Sequence, residues 1–196
     1  MVGKFRKFVR RLGSDISPFP GSAPHWERLI NSLSLHDIDC IFDIGANTGQ
    51  YARAIRTNGY AGRIVSFEPL SGIRDELERH ATTDPLWEIA PRTAVGATSG
   101  EVEINISGET DMSSILSLDA TAHARLASTR AETSEKVAVT TVAAALDAHG
   151  AGAKNLFLKS DTQGYEAEVL DGIGDAWAQI TGLQLELSIQ PIYDGQ

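Results

Sequence analysis

Along the chain, short apolar runs alternate with segments whose apolar residues recur every three or four positions. Cys40-Ile41-Phe42-Asp43-Ile44 is such a run and stops at a glycine-bearing turn, after which residues 48–59 place Tyr51, Ala52 and Ile55 on one helical face. Residues 63–69 repeat the strand signature, and residues 71–81 repeat the helical one, with Ile73 and Leu77 four apart. A β-α-β-α opening follows. Upstream, residues 14–24 carry Pro18, Pro20 and Pro24 and read as a linker into a helix bearing Trp26, Leu29, Ile30 and Leu33.

Downstream the pattern predicts a third strand within 87–96 and a short hairpin that uses the alternating segment 101–107. Residues 108–116 read as a loop, 117–135 as weakly patterned helix, 136–142 as a strand and 142–150 as a short helix. A strand at 155–161, a helix from Gly164 and a final strand at 182–189 complete the pattern. Strands that are apolar on both faces and alternate with helices belong to a doubly wound, mostly parallel α/β sheet of Rossmann-like type. Its ligand site lies beyond the carboxyl ends of the strands. The expected organisation is a leader and linker at 1–23 and one domain at 24–196.

Composition narrows the setting. With 196 residues, 42% of them apolar, the chain can bury a full core without a metal or a cross-link. Cys40 is the sole cysteine and no apolar run approaches the ~20 residues of a membrane span, so a reducing, cytoplasmic location is expected. Charge is unevenly spread: Lys4, Arg6, Lys7, Arg10 and Arg11 crowd the first fourteen residues, leaving 12 Lys+Arg against 26 Asp+Glu in the remainder. An acidic body disfavours phosphate backbones, so no nucleic-acid partner is expected. The basic leader lacks the uninterrupted apolar region of a secretory signal, but places Phe5, Phe8 and Val9 together on a helical face. It reads either as a frayed, solvated terminus or as a peripheral contact with an anionic membrane surface.

The chemistry concentrates in the first turn. Gly45-Ala46-Asn47-Thr48-Gly49 follows the strand directly; glycines there permit close approach of backbone to a ligand, and the next helix aims free N–H groups at the same place. Glu68 closes the second strand, where a carboxylate can accept from both hydroxyls of a ribose. An adenosine cofactor fits this pair. The dinucleotide fingerprint G-x-G-x-x-G is absent, because the turn is G-x-x-x-G with Asn47 in the middle, which disfavours a pyrophosphate. Asp43 at the mouth of the turn favours a ligand carrying an ammonium or sulfonium cation, and S-adenosylmethionine carries both.

The stretches DIGANTGQYA, SFEP, MSSI, LKSDTQGYEAEVLDG and LELSIQPIYDG, in this order, resemble the FkbM-type methyltransferases, a branch of the class I S-adenosylmethionine-dependent fold. The resemblance spans about residues 39–195, and the lysine-x-aspartate-x-x-glycine-x-glutamate stretch of that family is matched by Lys159, Asp161, Gly164 and Glu166. It implies methyl transfer to a hydroxyl oxygen of a sugar, glycolipid or polyketide-type small molecule. It also implies that Asp43, Gly45, Ala46, Asn47 and Gly49 hold the methionine part of the cofactor and Glu68 the ribose. Asp161, at a strand's carboxyl end, is the expected general base. Lys159, two residues earlier and so on the same face, steadies that carboxylate or the developing oxyanion, and Glu166 is a second acid or an acceptor of substrate hydrogen bonds.

Plainer roles stand beside these. Asp161 and Glu166 are also placed to cap the following helix. Ser113 and Ser114 are either site residues or turn elements, and Trp26, Trp87 and Trp177 read as packing residues. Neither Cys40 nor the five histidines has a metal-ligand spacing, so no metal is expected, although Asp161 and Glu186 carry the oxygen donors that Mg²⁺ takes. Class I methyltransferases carry two more strands after the one matched here by residues 182–189, and only seven residues follow Ile189. The expected sheet therefore lacks those strands and leaves an edge open to association, including with a second copy. Two other readings stay open: a nicotinamide-dependent oxidoreductase, and a cofactor-binding domain without catalysis.

Overall fold

The computed structural model describes residues 25–107 and 131–187. Its elements run α1 (His25–Leu35), β1 (Cys40–Ile44), α2 (Gln50–Thr57), β2 (Arg63–Phe67), α3 (Ser71–Ala81), β3 (Trp87–Ile89), β4 (Thr93–Val95) and β5 (Gly100–Ser107). From residue 131 onward come β6 (Ala131–Thr140), α4 (Val142–His149), β7 (Leu156–Ser160), α5 (Glu166–Asp171), a 3-10 helix (Gly174–Gln179) and β8 (Ile180–Leu185). Five strands form a sheet in the order β3-β2-β1-β7-β8, every pairing parallel. This is the α/β arrangement the alternating pattern predicts. The chain steps outward from β1 through β2 to β3 and then resumes on the other side of β1 with β7. The gap between the ends of β1 and β7 is thus the switch point where such sheets take a ligand.

Strand alternation assigns the two faces. Phe42, Ile44, Val65, Phe67, Leu156 and Leu158 pack toward α4 and α5 with Val142, Leu146, Val169 and Ile173. Ile41, Ile64 and Phe157 pack toward α1, α2 and α3 with Leu33, Ile55 and Leu77. Each such side chain, fully buried, contributes about 1.5–3 kcal/mol of transfer free energy. Cys40 is wholly buried, and burial pushes its thiol up to about 11, the behaviour of a small apolar residue.

Four expectations from the pattern are corrected. The predicted third strand is two, β3 and β4, because Pro91 between them offers no N–H to continue a ladder. No hairpin joins β4 to β5: β6 lies between them, parallel to β4 and antiparallel to β5, in a second three-stranded sheet. Residues 131–135, read as the end of a helix, are the first half of β6. There Glu135 pairs with Arg92 and accepts from the Ser71 hydroxyl at 3.2 Å, tying the strand to neighbours far away in sequence. The last strand starts at Ile180 and runs through Gly182, where a Cβ would meet the Phe157 ring at 2.7 Å, and the register shifts at that point. Residues 108–130, with Ser113, Ser114 and His123, lie outside the described residues.

Candidate functional site

A row of polar side chains crosses the sheet near its carboxyl end. Register places Ser66 beside Asp43, Asp43 beside Lys159 and Lys159 beside Gln184, on the face that carries α1 to α3. Asp43 is wholly buried. Its Oδ1 lies 2.9 Å from Lys159 Nζ, and its Oδ2 accepts from the Ser66 hydroxyl at 3.3 Å, which in turn accepts from the Trp87 indole N–H at 2.9 Å. Asp43 is therefore neutralised inside the fold instead of standing open at the mouth of the turn, where sequence reasoning places it. Lys159 also donates to the Gly45 carbonyl at 3.1 Å and lies 3.8 Å from Asp161 Oδ2, with Tyr51 below it at 5.4 Å from the ring centre. The lysine fastens β1, its turn and β7 together.

The glycines do a different job from the one their spacing predicts. Gly45 has φ 73°, and a Cβ there would overlap the Asp161 carbonyl oxygen. The close approach it permits is between two backbones, β1's turn and β7's. Gly49, at φ 83°, would set a Cβ 2.7 Å from the Trp87 ring. Ala46 is buried with its N–H on the Phe67 carbonyl, and Asn47, at φ 49°, turns its backbone N–H to Glu68 Oε2 at 2.9 Å. The turn is rigid because the end of β2 holds it.

Glu68 is held at both of its oxygens. Its other oxygen accepts from Leu70 N–H at 2.8 Å, so each oxygen holds one backbone donor and keeps a lone-pair direction for another. The carboxyl is pushed up to about 7, first by burial; the Leu70 and Asn47 N–H groups oppose the shift, Asp43 adds to it and Lys159 reduces it. Burial likewise raises the Tyr51 phenol above its usual range, helped by Asp43.

Asp161 and Glu166 part company. Glu166 is buried; its Oε1 accepts from the Thr162 N–H at 2.8 Å and the Thr162 hydroxyl at 3.1 Å, and its Oε2 accepts from the Gly164 N–H at 3.0 Å. It clamps the turn that precedes α5. Asp161 caps no helix; the residue before α5 is Tyr165, with no side-chain cap, and Asp161 Oδ1 accepts from the Gln163 amide at 2.8 Å.

These groups surround one cavity of about 630 Å³, within the range of small-molecule sites. Residues 45–47, Glu68, Lys159, Asp161 and Glu186 line it, whereas Asp43, Gly49 and Glu166 do not. Sequence reasoning missed its remaining walls. Leu70, Ile73, Ala94 and Ile104 form an apolar side built jointly by α3 and the second sheet. Trp26 and Tyr51, 5.6 Å apart, form an aromatic side where Trp26 reads as packing alone, and the Tyr51 hydroxyl donates to Gln184 at 3.3 Å. Only the helical spacing of Tyr51 and the alternation that brings Gln184 beside Lys159 hint at these positions in the sequence.

Three carboxyl groups against one ammonium give the lining an acidic balance, suited to a cation and hostile to a pyrophosphate. Among the described residues no cluster of three or more His, Cys, Asp or Glu side chains is arranged to hold a metal, and no helix is long and apolar enough to cross a membrane. Among curated proteins none matches the chain significantly. A family model of the methyltransferase FkbM domain matches residues 43–196, from the buried aspartate of β1 through the Asp161 turn to the last residue. That span takes in the turn after β1, Glu68 and the Asp161 turn, and on this match the chain belongs to the FkbM methyltransferase family.

Proposed function

We propose that the chain binds S-adenosylmethionine in this cavity and methylates a hydroxyl oxygen of a sugar, glycolipid or polyketide-type small molecule. The observation that carries the reading is Glu68: a carboxylate at the tip of β2, fixed by the turn after β1, facing the same cavity as Asp161. The residues fit the cofactor. Glu68 keeps acceptor capacity for two hydroxyl groups, the apolar side suits a flat base, and the acidic balance suits a sulfonium and an ammonium. Residues 45–47 would hold the methionine part and Glu68 the ribose. When bound, S-adenosylmethionine supplies a methyl group made electrophilic by its positively charged sulfur.

The chain's own contribution is orientation and proton removal. The cavity walls hold the acceptor hydroxyl in line, which accounts for up to roughly 7–11 kcal/mol of barrier lowering in the best intramolecular cases. Asp161 takes the hydroxyl proton, a role worth about 10²- to 10⁴-fold. Lys159 keeps Asp161 and the turn after β1 in place, and Glu166 holds the loop that carries Asp161.

The test is calorimetric titration of the full chain with S-adenosylhomocysteine and with NAD, followed by methyl transfer from labelled S-adenosylmethionine to a panel of hydroxylated acceptors. Saturable binding of the homocysteine form with no binding of NAD is expected. The converse overturns the assignment, and cofactor binding without transfer to any acceptor favours a non-catalytic domain.

A further inference from the structure

The cavity lining runs from Glu68, just past β2, to Gln184 on β8, a reach of three strand spacings or about 14 Å. Its two ends differ in chemistry. At the β2 end the Leu70 N–H donates to Glu68, and Leu70 belongs with Ala94 and Ile104 to the apolar side. At the β8 end Gln184 accepts from the Tyr51 hydroxyl at 3.3 Å, and the Trp26 and Tyr51 ring centres are 5.6 Å apart. Trp26 comes from the first turn of α1, ahead of the residues that the family model matches. Leu33, buried in the core with Leu29 and Ile30 packed beside it, anchors that helix and so fixes Trp26 at the wall. The indole is half-buried, and neither aromatic neighbour lies flat on it: Tyr51 is inclined by 54° and His25 by 71°.

An aromatic wall suits a cation, a flat base or the C–H face of a sugar. A cation is disfavoured, because Lys159 Nζ already lies 5.4 Å from the Tyr51 ring centre and would repel a second one. A base has its apolar side at the other end, next to Glu68. We infer that Trp26 and Tyr51 form the acceptor subsite of the cavity, and that it takes a neutral sugar ring laid on the indole. The inference rests on the reading of the cavity as a methyl-transfer site and narrows its acceptor to one class. C–H groups next to oxygen carry partial positive charge, which the negative face of an aromatic ring attracts. Hydroxyl groups at the ring's edge find both partners they need. The Gln184 carbonyl is engaged by Tyr51, so its amide N–H groups are the donors, and Glu186, two residues on and exposed, is the acceptor. An apolar polyketide-type chain would instead cover Gln184 and Glu186 without pairing them. A uronate or a sugar phosphate would meet the negative charge of Asp161 and Glu186. A sugar held here has its hydroxyls beside Asp161, at the end of the neighbouring strand β7.

The experiment is saturation-transfer NMR of the full chain with the methyl glycosides of glucose, galactose, mannose, rhamnose and fucose, with methyl glucuronoside and with cyclohexanol. It is run on the parent and on the Trp26→Ala, Trp26→Phe and Gln184→Ala variants, with calorimetric titration of each by S-adenosylhomocysteine alongside. At least one neutral glycoside is expected to bind, more tightly than the glucuronoside or cyclohexanol, with transfer strongest at the C–H protons of one ring face. Trp26→Ala should weaken it about tenfold, Trp26→Phe should recover part of the loss, and S-adenosylhomocysteine affinity should change by less than about twofold. Binding of no neutral glycoside, equal binding of cyclohexanol, or a glycoside affinity indifferent to Trp26→Ala overturns the proposal. So does an equal loss of S-adenosylhomocysteine affinity, which would assign Trp26 to the cofactor. Should Trp26→Ala fail to fold, Gln184→Ala decides in its place, with weaker glycoside binding expected and unchanged binding counting against the subsite. Glycoside binding lost in Trp26→Ala, in a parent that does not bind S-adenosylhomocysteine, defeats the cofactor reading and leaves the sugar subsite standing.

Discussion

Two turns meet at the carboxyl end of the sheet, one after β1 and one after β7, and they use their acids in opposite ways. Both hold residues in the left-handed region: Gly45, Asn47 and Gly49 in the first, Gln163 and Gly164 in the second. In the first turn the acid of its own strand, Asp43, is buried against Lys159, and the accessible carboxyl, Glu68, is borrowed from β2. In the second the clamp, Glu166, comes from the helix just beyond the turn, and the strand's own acid, Asp161, stays in the cavity. One turn therefore presents rigid backbone, suited to holding a ligand, and the other presents a side chain, suited to acting on one. A carboxylate's fate depends on which partners the fold sets beside it: Lys159 and Ser66 bury Asp43, and the Thr162 and Gly164 N–H groups hold Glu166 in its turn.

The sharpest way to break this contrast is Asp161→Asn. If the second turn acts and the first holds, methyl transfer falls by about 10²- to 10⁴-fold while S-adenosylhomocysteine binds nearly as in the parent. Equal loss of binding and turnover would make both turns holding devices, and undiminished turnover would remove Asp161 from the chemistry. Next is Gly45→Ala, where the two turns touch. The added Cβ meets backbone, which cannot rotate away, in a conformation unfavourable for alanine, so unfolding stability in urea should drop by about 3 kcal/mol or more. Gly49→Ala meets the side chain of Trp87 instead and should cost less, because a ring can shift. Equal costs would show that the backbone contact between the turns is soft.

How much of this was open to reading in the sequence differs between the two turns. Strand, turn and helix after β1 follow from CIFDI, the glycines and the spacing of Tyr51, Ala52 and Ile55, and α3 begins and ends where the periodicity of 71–81 puts it. Local chemistry decides those features. The reason for Gly45 was not legible, since its steric partner is the carbonyl of a residue far along the chain. Nor was the division between Asp161 and Glu166, which share one short stretch and the same charge. Which of them turns inward is decided by Gln163 and Gly164, whose positive φ folds the chain back over Glu166. The second sheet was misread for the same kind of reason: β4, β5 and β6 pair by register between distant segments, and local alternation cannot tell which strand lies in the middle.

Glu166→Ala sharpens the contrast from the stability side. Removing the carboxylate leaves the Thr162 and Gly164 N–H groups without their partner, at a cost of about 2–3 kcal/mol in a denaturant titration. Asp161→Ala, whose partner Gln163 can turn to water, should cost under about 1 kcal/mol. The reverse order would exchange the two roles.

The smallest effect is the most specific to the first turn. Glu68, with its carboxyl raised to about 7 chiefly by burial, takes up a proton in the folded state that an unfolded chain near neutral pH would not hold. A raised folded value stabilises the fold at low pH, and that contribution fades as the pH climbs from the ordinary carboxyl range through about 7. The ligand-free chain should therefore lose stability across this window, and Glu68→Gln should flatten the slope. Binding should run the other way. Ribose hydroxyls donate to the ionised carboxylate and offset its burial, so S-adenosylhomocysteine should bind more tightly above pH 7 than below it. In Glu68→Gln the affinity should be about tenfold weaker at pH 8, or ~1.4 kcal/mol, and nearly independent of pH. Opposite slopes for stability and affinity, both erased by one substitution, are what a buried acid waiting for hydroxyl donors requires. A clamp already satisfied by Asn47 and Leu70 alone would yield the stability slope without the affinity slope.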